Sequence, residues 1–368
     1  MPPAPPEPRA GRVITYAQKR YNDDGSEVSL LPLLTQGTGI THVIVAAIHL
    51  NEGPGNIHLN DHPPEHPRYA RLWGEVNWLQ GAGVPVLGML GGAARGSFER
   101  LAGDDASFEA YYLPLKSLIT KFHLSGIDLD IEEPVPLSCP IRLIRRLRAD
   151  FGPSFLITLA PVATALLPSL PHLSGFSYFE LHQCCGNDVA WYNTQFYCGW
   201  GDARTTAHYD TIIAAGWPPE KVVLGLVTNP ENGAGFVEHE ELRDVIRVLR
   251  ARYPRFGGVM GWEYFNSLPG DKAEPWRWAK SVKEHLIAEI PVGLVEGGRG
   301  VERLGTGLGG AQLPFTPPGA WQTTQESPFG NEKVEQLQTL GFTRPQAIAA
   351  LNVTQGNVEY AAGLLFQE

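Results

Sequence analysis

The chain has 368 residues, of which 43% are hydrophobic and 18% are charged. This balance supplies enough apolar side chains for a buried core and excludes a chain that is disordered throughout. The net charge is −10 with the histidines neutral, which disfavours nucleic acid and anionic membrane surfaces as partners. The sequence contains no run of 18 or more apolar residues, so we expect no transmembrane helix.

The cysteines and the amino terminus bear on the cellular compartment. Cys139, Cys184, Cys185 and Cys198 lack the paired Cys-x-x-Cys spacing of a zinc site, and whether any two of them form a disulfide stays open. The first nine residues lack the apolar stretch of a secretory signal peptide. We therefore expect a cytoplasmic protein with neither a metal nor an organic cofactor.

Short apolar, β-branched runs alternate with longer amphipathic stretches between residues 12 and 290. Three of the amphipathic stretches predict helices at Phe108–Lys121, Ile141–Asp150 and Glu240–Tyr253. Eight strand–helix units predict an α/β fold of the (β/α)8 TIM barrel type, with a doubly wound open sheet as the alternative. The predicted strands are Arg12–Tyr16, Thr41–Ile48, Val84–Leu90, Gly126–Glu132, Phe155–Ala160, Ala190–Tyr197, Lys221–Val227 and Gly257–Trp262.

The composition changes at both ends of this barrel. Residues 1–11 are rich in proline and are expected to be disordered, whereas residues 291–328 are rich in glycine and proline and predict a flexible linker. Residues 329–368 predict a small three-helix bundle, with helices at Glu332–Leu340, Arg344–Leu351 and Gln355–Phe366.

The predicted strand Gly126–Glu132 carries the most informative pattern. Side chains of a strand alternate between its two faces, so Asp128, Asp130 and Glu132 share one face and the apolar residues between them share the other. In a barrel, the acids then point into the lumen. Like charges at this spacing raise at least one pKa, and we expect Asp128 and Asp130 to share a proton. Glu132 ends the strand, where a protonated carboxyl can donate to a leaving oxygen, as glycosidases require.

Two other interpretations of this strand are an edge strand with a solvated acidic face and a metal site of three carboxylates. The clean apolar face disfavours the first, and the lack of a histidine on the strand disfavours the second. His58, His62 and His66 repeat every four residues, but prolines between and beside them argue against a helix. This segment therefore predicts a polar loop in contact with distal sugars.

The string from Ser125 to Glu132 resembles the Asp-x-x-Asp-x-Asp-x-Glu motif of family 18 glycoside hydrolases, with Ser125 in place of the first Asp. In that family the first position mostly supports the site. Further segments agree with the resemblance, and three of them resemble the fungal endo-β-N-acetylglucosaminidases of the family. The agreeing segments are Gly88–Gly92, Gln195–Tyr197 and Gly257–Trp262, and the three closer ones are His58–Asp61, Trp191–Tyr197 and Trp262–Gly270.

The resemblance implies a mechanism in which the 2-acetamido oxygen of the substrate is the nucleophile. It implies that Glu132 is the general acid and then the base, that Asp130 orients and polarises the acetamide N–H, and that Asp128 tunes the charge of Asp130. Tyr197 is implied to donate its hydroxyl to the acetamide oxygen, and Trp262 to form the apolar floor under that sugar.

Four more residues are implied to line the same pocket: Gln195, Tyr16, Gly91 and Gly92. For Tyr16, packing in the core is an equal alternative. A lectin-like barrel without catalytic activity usually lacks the motif's Glu, which this chain has at Glu132. The resemblance therefore favours an endo-acting hydrolase of N-glycans or other GlcNAc-containing glycans, with a chitinase as the first alternative and a lectin as the second.

The carboxyl-terminal region resembles ubiquitin-associated (UBA) domains. Leu340, Gly341 and Phe342 lie in the first predicted loop, and Leu364 and Leu365 lie near the end of the third predicted helix. The resemblance implies that these residues form a small apolar surface for ubiquitin or ubiquitinated glycoproteins. The alternative is that they only close the core of the three-helix bundle.

Overall fold

The structure is a computed structural model that describes residues 11–290, 331–340 and the single residues 342, 344, 347, 351, 358 and 362. The described residues form two compact units, one of residues 11–197 and 201–289, the other of residues 198–200 and those from 290 onward. The predicted disordered segment, apart from its last residue, and the predicted linker 291–328 lie outside the described residues.

The first unit is a closed barrel of eight parallel strands, joined in the order β1-β2-β4-β5-β6-β7-β8-β9 and back to β1. A short strand, β3, pairs antiparallel with the end of β2. This closure confirms the predicted (β/α)8 barrel and excludes the open sheet. The strands are β1 Arg12–Ala17, β2 His42–Leu50, β3 Ile57–Leu59, β4 Val86–Gly91, β5 Gly126–Asp130, β6 Leu156–Leu159, β7 Trp191–Gln195, β8 Val222–Val227 and β9 Gly258–Trp262.

Helices follow the strands along the chain. The helix α8, for example, buries Leu242, Val245, Ile246 and Leu249. Their spacing of three and four residues places them in one apolar stripe, because an α-helix has 3.6 residues per turn. The helices are α1 Pro32–Thr35, α2 Ala70–Gly81, α3 Ser97–Leu101, α4 Asp105–Lys121, α5 Ser138–Phe151, α6 Tyr178–Cys185, α7 Ala207–Ala214, α8 His239–Arg252, α9 Trp276–Ile287 and, in the second unit, α10 Asn331–Thr339.

The barrel is a packed core and not a pore. Large and small apolar side chains from different strands meet there, as expected for a barrel of eight strands. The buried cluster consists of Ile14, Tyr16, Ile44, Ala46, Ala47, Leu87, Met89, Trp191, Val223 and Met260.

Three predicted strands were too long at their carboxyl ends, β6 by one residue and β5 and β7 by two. The structure ends β5 at Asp130, so Glu132 lies two residues beyond it, and β7 likewise ends at Gln195 and leaves Tyr197 in the following loop. The ladder stops because the partner of Asp130 is Gly91, where β4 ends in a backbone conformation with φ of +98°. Helix α4 begins earlier than predicted because Asp104 caps it, accepting a hydrogen bond from Ser107 N at 2.8 Å.

In the second unit, α10 buries Val334 and Leu337 against Ala347 and Leu351. This helix agrees with the prediction for residues 332–340, while most of the two later predicted helices lies outside the described residues. None of the helices in the described ranges is long and apolar enough to cross a membrane.

Candidate active site

Asp128 is fully buried at the centre of the barrel and accepts three hydrogen bonds. Tyr16 Oη donates to Oδ2 at 2.6 Å, while Thr158 Oγ1 and Asn193 Nδ2 donate to Oδ1 at 2.5 and 2.9 Å. Trp191 Nε1 donates in turn to Asn193 Oδ1 at 2.9 Å and fixes the orientation of that amide. Four strands therefore hold one carboxyl group in place.

Asp130 and Glu132 are joined by a single side chain from β7, which lies two strands from β5 in the barrel. Gln195 Nε2 lies 3.2 Å from Asp130 Oδ1 and 3.2 Å from Glu132 Oε1, and it also donates to the carbonyl of Ala160 at 2.9 Å. Asp130 is 6% exposed, whereas Glu132 is half-buried at the strand end. The geometry places the two carboxyl groups side by side at the mouth of the barrel.

Burial raises the pKa of all three carboxyl groups. The pKa of Asp130 is raised well above its ordinary value, first by burial and then by the charges of Glu132 and Asp128. Burial also raises the pKa of Glu132, although the hydrogen bond from Gln195 and the charge of Arg95 oppose the rise. The pKa of Asp128 is raised by burial and lowered in part by its three donors. The site therefore favours protonated carboxyl groups over three carboxylates.

Aromatic side chains form the wall beside these acids. The Trp262 ring, at the end of β9, lies 5.4 Å from the Tyr16 ring, centroid to centroid. Tyr197 is buried just beyond β7. Burial, and then the charges of Asp128 and Asp130, raise the pKa of Tyr16 well above its ordinary value. Tyr16 thus belongs both to the barrel core and to the site, because its ring packs in the apolar cluster and its hydroxyl bonds Asp128.

The Gly91-Gly92 turn lies directly against Asp130. Gly92 N donates to the carbonyl of Asp130 at 2.9 Å, and a Cβ on Gly91 would stand 2.3 Å from that same oxygen. Both glycines have positive φ, at +98° and +91°, which only glycine adopts without strain. The turn therefore brings its backbone close to Asp130. A residue larger than glycine at position 91 would push the two segments apart.

Glu133 holds the segment that follows this turn. Its carboxylate accepts from Gly96 N at 2.8 Å and from Phe98 N at 2.7 Å, at the start of α3. Ser174 supports the other side, since its Oγ donates to the carbonyl of Ile131 at 2.7 Å. The backbone that carries Glu132 is thus fixed on both flanks.

Ser125 occupies the position where the family motif has its first Asp. It precedes β5 at the amino end of the strand, where its Oγ donates to Gln80 Oε1 at 2.9 Å. Five residues separate it from Asp130, about 16 Å along an extended strand. The departure from the motif therefore lies at the opposite end of the barrel from the acids.

Sequence reasoning missed Thr158 and Asn193, which both donate to Asp128. Asn193 could have been predicted, because it lies two residues before Gln195 on β7 and strand alternation places both side chains on the same face. Thr158 is the one polar residue of β6 and pairs in register with Asp128. The histidine segment is a loop only in part, because His58 lies in β3, whereas the His62 and His66 rings stack 4.5 Å apart beyond that strand.

Of the residues predicted for a ubiquitin surface, the structure describes two. Leu340 is 47% exposed directly after α10, and Phe342 N donates to the carbonyl of Leu337. Gly341, Leu364 and Leu365 lie outside the described residues. No disulfide joins any two of the four cysteines, all of which lie within the described residues.

The search of family models gave no match to this chain. Among solved structures, the chain is similar to a fungal endo-β-N-acetylglucosaminidase from glycosyl hydrolase family 18, with 50% identity, a TM-score of 0.72 and coverage of 75% of this chain and 98% of that one. It is also similar to a chitinase from Aspergillus fumigatus, with 53% identity, a TM-score of 0.69 and coverage of 73% and 97%.

A second kind of relative matches only the carboxyl-terminal region. The chain is 54% identical over 46 residues to DNA damage-inducible protein 1 of Kluyveromyces lactis, which is 12% of this chain and 11% of that protein. This chain therefore spans about a tenth of the length of that relative. The two barrel matches, in contrast, cover nearly the full length of both solved structures. Because the sequence identity over this length is about half, the chain belongs to glycoside hydrolase family 18.

Proposed function

We propose that this glycoside hydrolase is an endo-β-N-acetylglucosaminidase that cleaves the β-1,4 bond between the two core GlcNAc residues of N-glycans. The observation that carries the proposal is the distribution of acids around the pocket. The carboxyl groups that meet there come from β5 and the residues just beyond it, whereas β7, two strands away, and its end present Asn193, Gln195 and Tyr197.

This distribution fits a mechanism in which the enzyme supplies the acid and the substrate supplies the nucleophile. A retaining glycosidase of the ordinary kind needs a second carboxylate across the sugar from the acid. On the β7 side amides and a phenol occupy this wall, and at the end of β9, four strands from β5, the Glu263 carboxylate is already bound by the backbone N–H groups of Gln18 and Lys19. The 2-acetamido group of a GlcNAc residue bound over Trp262 would reach the anomeric carbon instead, held by Asp130 at its N–H and by Tyr197 at its oxygen.

The reaction proceeds in two steps with retention of configuration. In the first, the acetamido oxygen bonds to the anomeric carbon, the glycosidic C–O bond breaks, and Glu132 gives its proton to the departing oxygen. In the second, water attacks the anomeric carbon and gives a proton to the Glu132 carboxylate, and the oxazolinium ring opens. The raised pKa of Glu132 keeps the proton available for the first step.

Chitin and chitooligosaccharides are the second candidate substrates, and the similarity to the A. fumigatus chitinase favours them. Both reactions use the same acids, so the experiment must compare substrates. We would digest a high-mannose glycoprotein and chitopentaose side by side with the full chain, with Glu132→Gln as the blank. Faster release of the N-glycan supports the proposal, and hydrolysis of chitopentaose alone would replace it with the chitinase.

We further propose that residues 329–368 form a UBA domain that binds ubiquitin on glycoproteins in the cytosol. The support is the match to DNA damage-inducible protein 1, which contains such a domain, and the exposed Leu340 after α10. Residues 291–328 would act as a linker about 38 residues long, with an r.m.s. reach of about 30–40 Å if flexible. Tethering of this kind raises the local concentration of the attached glycan.

A comparison of substrates and variants tests this second proposal. Deglycosylation of one glycoprotein is measured with and without attached ubiquitin, using the full chain and the full chain with Leu340→Glu. The proposal predicts that attached ubiquitin accelerates the wild-type chain and that the variant loses this acceleration. Equal rates in all four combinations would show that the region has another role.

A further inference from the structure

The loop of residues 92–96, which follows β4, runs alongside the catalytic acid. Gly92 N donates to the carbonyl of Asp130 at 2.9 Å, and Gly96 N donates to Glu133 Oε2 at 2.8 Å. These two acceptors flank the catalytic acid in the chain, one on each side. The middle of the 92–96 loop therefore follows the stretch of backbone on which the acid is carried.

The backbone of the 92–96 loop is held in one conformation. Gly92 and Gly96 have φ of +91° and +110°, which glycine adopts without strain. The carbonyl of Gly96 accepts from Arg100 Nη1 at 2.6 Å, and Glu133 Oε1 accepts from Phe98 N at 2.7 Å just beyond the loop. A side chain in the middle of this loop is therefore anchored beside the acid.

Arg95 is the charged residue of the 92–96 loop, whose other members are glycine and alanine. It is exposed, and no hydrogen bond or ion pair of its guanidinium is present within the described ranges of the chain. Four of the six residues from 128 to 133 are acidic. The loop thus presents a cation, which the fold does not use elsewhere, to an acid-rich segment.

The charge of Arg95 acts on Glu132. Burial raises the pKa of Glu132, whereas the hydrogen bond from Gln195 and the charge of Arg95 lower it. Glu132 is half-buried at the mouth of the barrel, so solvent screens its attraction to the guanidinium only in part. An opposite charge in this place favours the carboxylate over the carboxyl form of Glu132.

The reaction requires such a charge when the glycosidic bond breaks. Glu132 gives its proton to the departing oxygen and becomes a carboxylate next to Asp130, in a pocket whose burial raises the pKa of both groups. A fixed cation on the outer side of this carboxylate stabilises the developing charge. It does so without contact with the sugar that reacts.

We propose that Arg95 is a positioning residue of the reaction, which acts through Glu132 by stabilising the carboxylate left when the departing oxygen takes the proton. The inference rests on the role of Glu132 in the proposed function. It holds for N-glycans and for chitooligosaccharides alike, because both reactions use the same acid. It also assigns a task to the 92–96 loop, which is to hold a cation beside the acid.

The pH dependence of kcat/KM tests the proposal. Arg95→Gln removes the charge that favours the carboxylate, so Glu132 keeps its proton to higher pH and the high-pH limb should shift upward. On an unactivated glycan, kcat should fall about twofold to fivefold, the effect of one partly screened ion pair. Arg95→Lys keeps the charge and should return both quantities toward those of the wild type.

Salt distinguishes an effect of charge from a change in packing. The Debye length falls from about 30 Å at 0.01 M to about 3 Å at 1 M ionic strength. The separation between the limbs of the wild type and of Arg95→Gln should therefore shrink at the higher ionic strength. The loss in kcat should also shrink on an aryl glycoside, whose leaving group departs with little help from an acid.

Arg255→Gln is the matched control. Arg255 is 68% exposed, lies 2.9 Å from Glu220 Oε1 and precedes β9, at the end of the barrel opposite to the acids. Its loss changes the net charge of the chain by the same amount as Arg95→Gln. The high-pH limb should nevertheless stay where it is in the wild type.

The outcomes separate this inference from the proposed function. Wild-type turnover by Glu132→Gln would overturn the role of that acid and the inference with it. If Glu132→Gln is inactive and Arg95→Gln leaves the limb in place, or shifts it equally at both ionic strengths, the inference alone fails. It also fails if Arg95→Gln only raises KM, and does so only for glycopeptides with acidic residues beside the glycosylated Asn. An upward shift that Arg95→Lys reverses and salt weakens supports it.

Discussion

Asp130 and Glu132 share one donor, the side-chain nitrogen of Gln195, which lies 3.2 Å from an oxygen of each. The same nitrogen also donates to the carbonyl of Ala160 at 2.9 Å. An amide nitrogen carries two hydrogens, so it cannot satisfy three acceptors at once. The two carboxyl groups therefore compete for Gln195, and a proton on one of them relieves the competition.

Gln195→Leu should move the pH profile of the enzyme upward. The hydrogen bond from Gln195 lowers the pKa of Glu132, so its loss raises that pKa further. A general acid is lost when the pH rises through its pKa, and the high-pH limb of kcat/KM should thus shift to higher pH. Thr158→Val is the control, because it removes a donor to Asp128 and none to Glu132. A limb that stays in place or moves down would contradict the assigned role of Gln195.

Glu132→Gln should nearly abolish hydrolysis while the chain stays folded. Glutamine keeps the size and hydrogen bonding of the side chain but cannot give a proton to the leaving oxygen. The loss in kcat should be about 10²–10⁴ on an unactivated glycan. Retained glycan binding and an unchanged thermal unfolding curve serve as controls, and turnover near that of the wild type would remove Glu132 from the mechanism.

Asp130→Asn should separate formation of the oxazolinium ring from its use. The variant cannot orient the acetamido group with a carboxylate, so hydrolysis of the intact glycan slows. A preformed glycan oxazoline already contains the ring and should still be transferred to a GlcNAc acceptor. Rates of both reactions are measured with the same protein preparation. An equal fall in the two would mean that Asp130 acts elsewhere in the cycle.

The same substitution should also stabilise the protein at neutral pH. Burial and neighbouring charges raise the pKa of Asp130 in the folded state, so the unfolded chain releases this proton more readily. Stability is then lost as the pH rises from the unfolded value near 3.9 through the raised folded value. Urea unfolding should therefore show a gain for Asp130→Asn at pH 7 that shrinks toward pH 4, and a gain independent of pH would argue against ionisation as its source.

Gly91→Ala should destabilise the barrel more than Gly53→Ala, because nothing lies near a Cβ built on Gly53. Gly91 and Gly53 both have positive φ, at +98° and +88°, yet only at Gly91 would a Cβ meet other atoms, with Phe98 at 2.5 Å. Gly53→Ala should cost about 1–2 kcal/mol for the backbone conformation. Gly91→Ala should cost about 1–3 kcal/mol more for overpacking. Equal unfolding free energies of the two variants would refute the close approach.

The faces of β5 could be predicted from the sequence because strand periodicity is local. Alternation alone assigns Asp128 and Asp130 to one side, without knowledge of any other strand. The partners of Asp128 could not be predicted in this way. Thr158 and Asn193 reach Asp128 only because β5, β6 and β7 adopt a particular register, with Asp128 opposite Thr158, and register depends on contacts between segments far apart in the chain.

The residue at which β5 ends could also not be predicted from the local sequence. The pattern of alternating residues continues to Glu132, but the ladder ends where Gly91 turns away. A polar cavity lined by Asn51, Arg68 and Glu263 could not be predicted for the same reason, because these residues lie in loops that only the closed barrel brings together. The prolines after His62 restrict the backbone locally and argue against a helix there, but they could not show that His58 lies in β3, which depends on pairing with β2.

Glu132 and Glu133 are adjacent in the chain but have separate tasks, since the side chain of Glu133 accepts from Gly96 N and Phe98 N at the start of α3. The backbone that carries the proton donor is thereby linked to the buried residues 96–98, none of which is a catalytic acid. Insertions or substitutions near Gly96 can therefore alter the angle at which Glu132 meets the departing oxygen while every pocket residue is kept. A change in this angle shifts the balance between hydrolysis and transfer of the glycan to an acceptor.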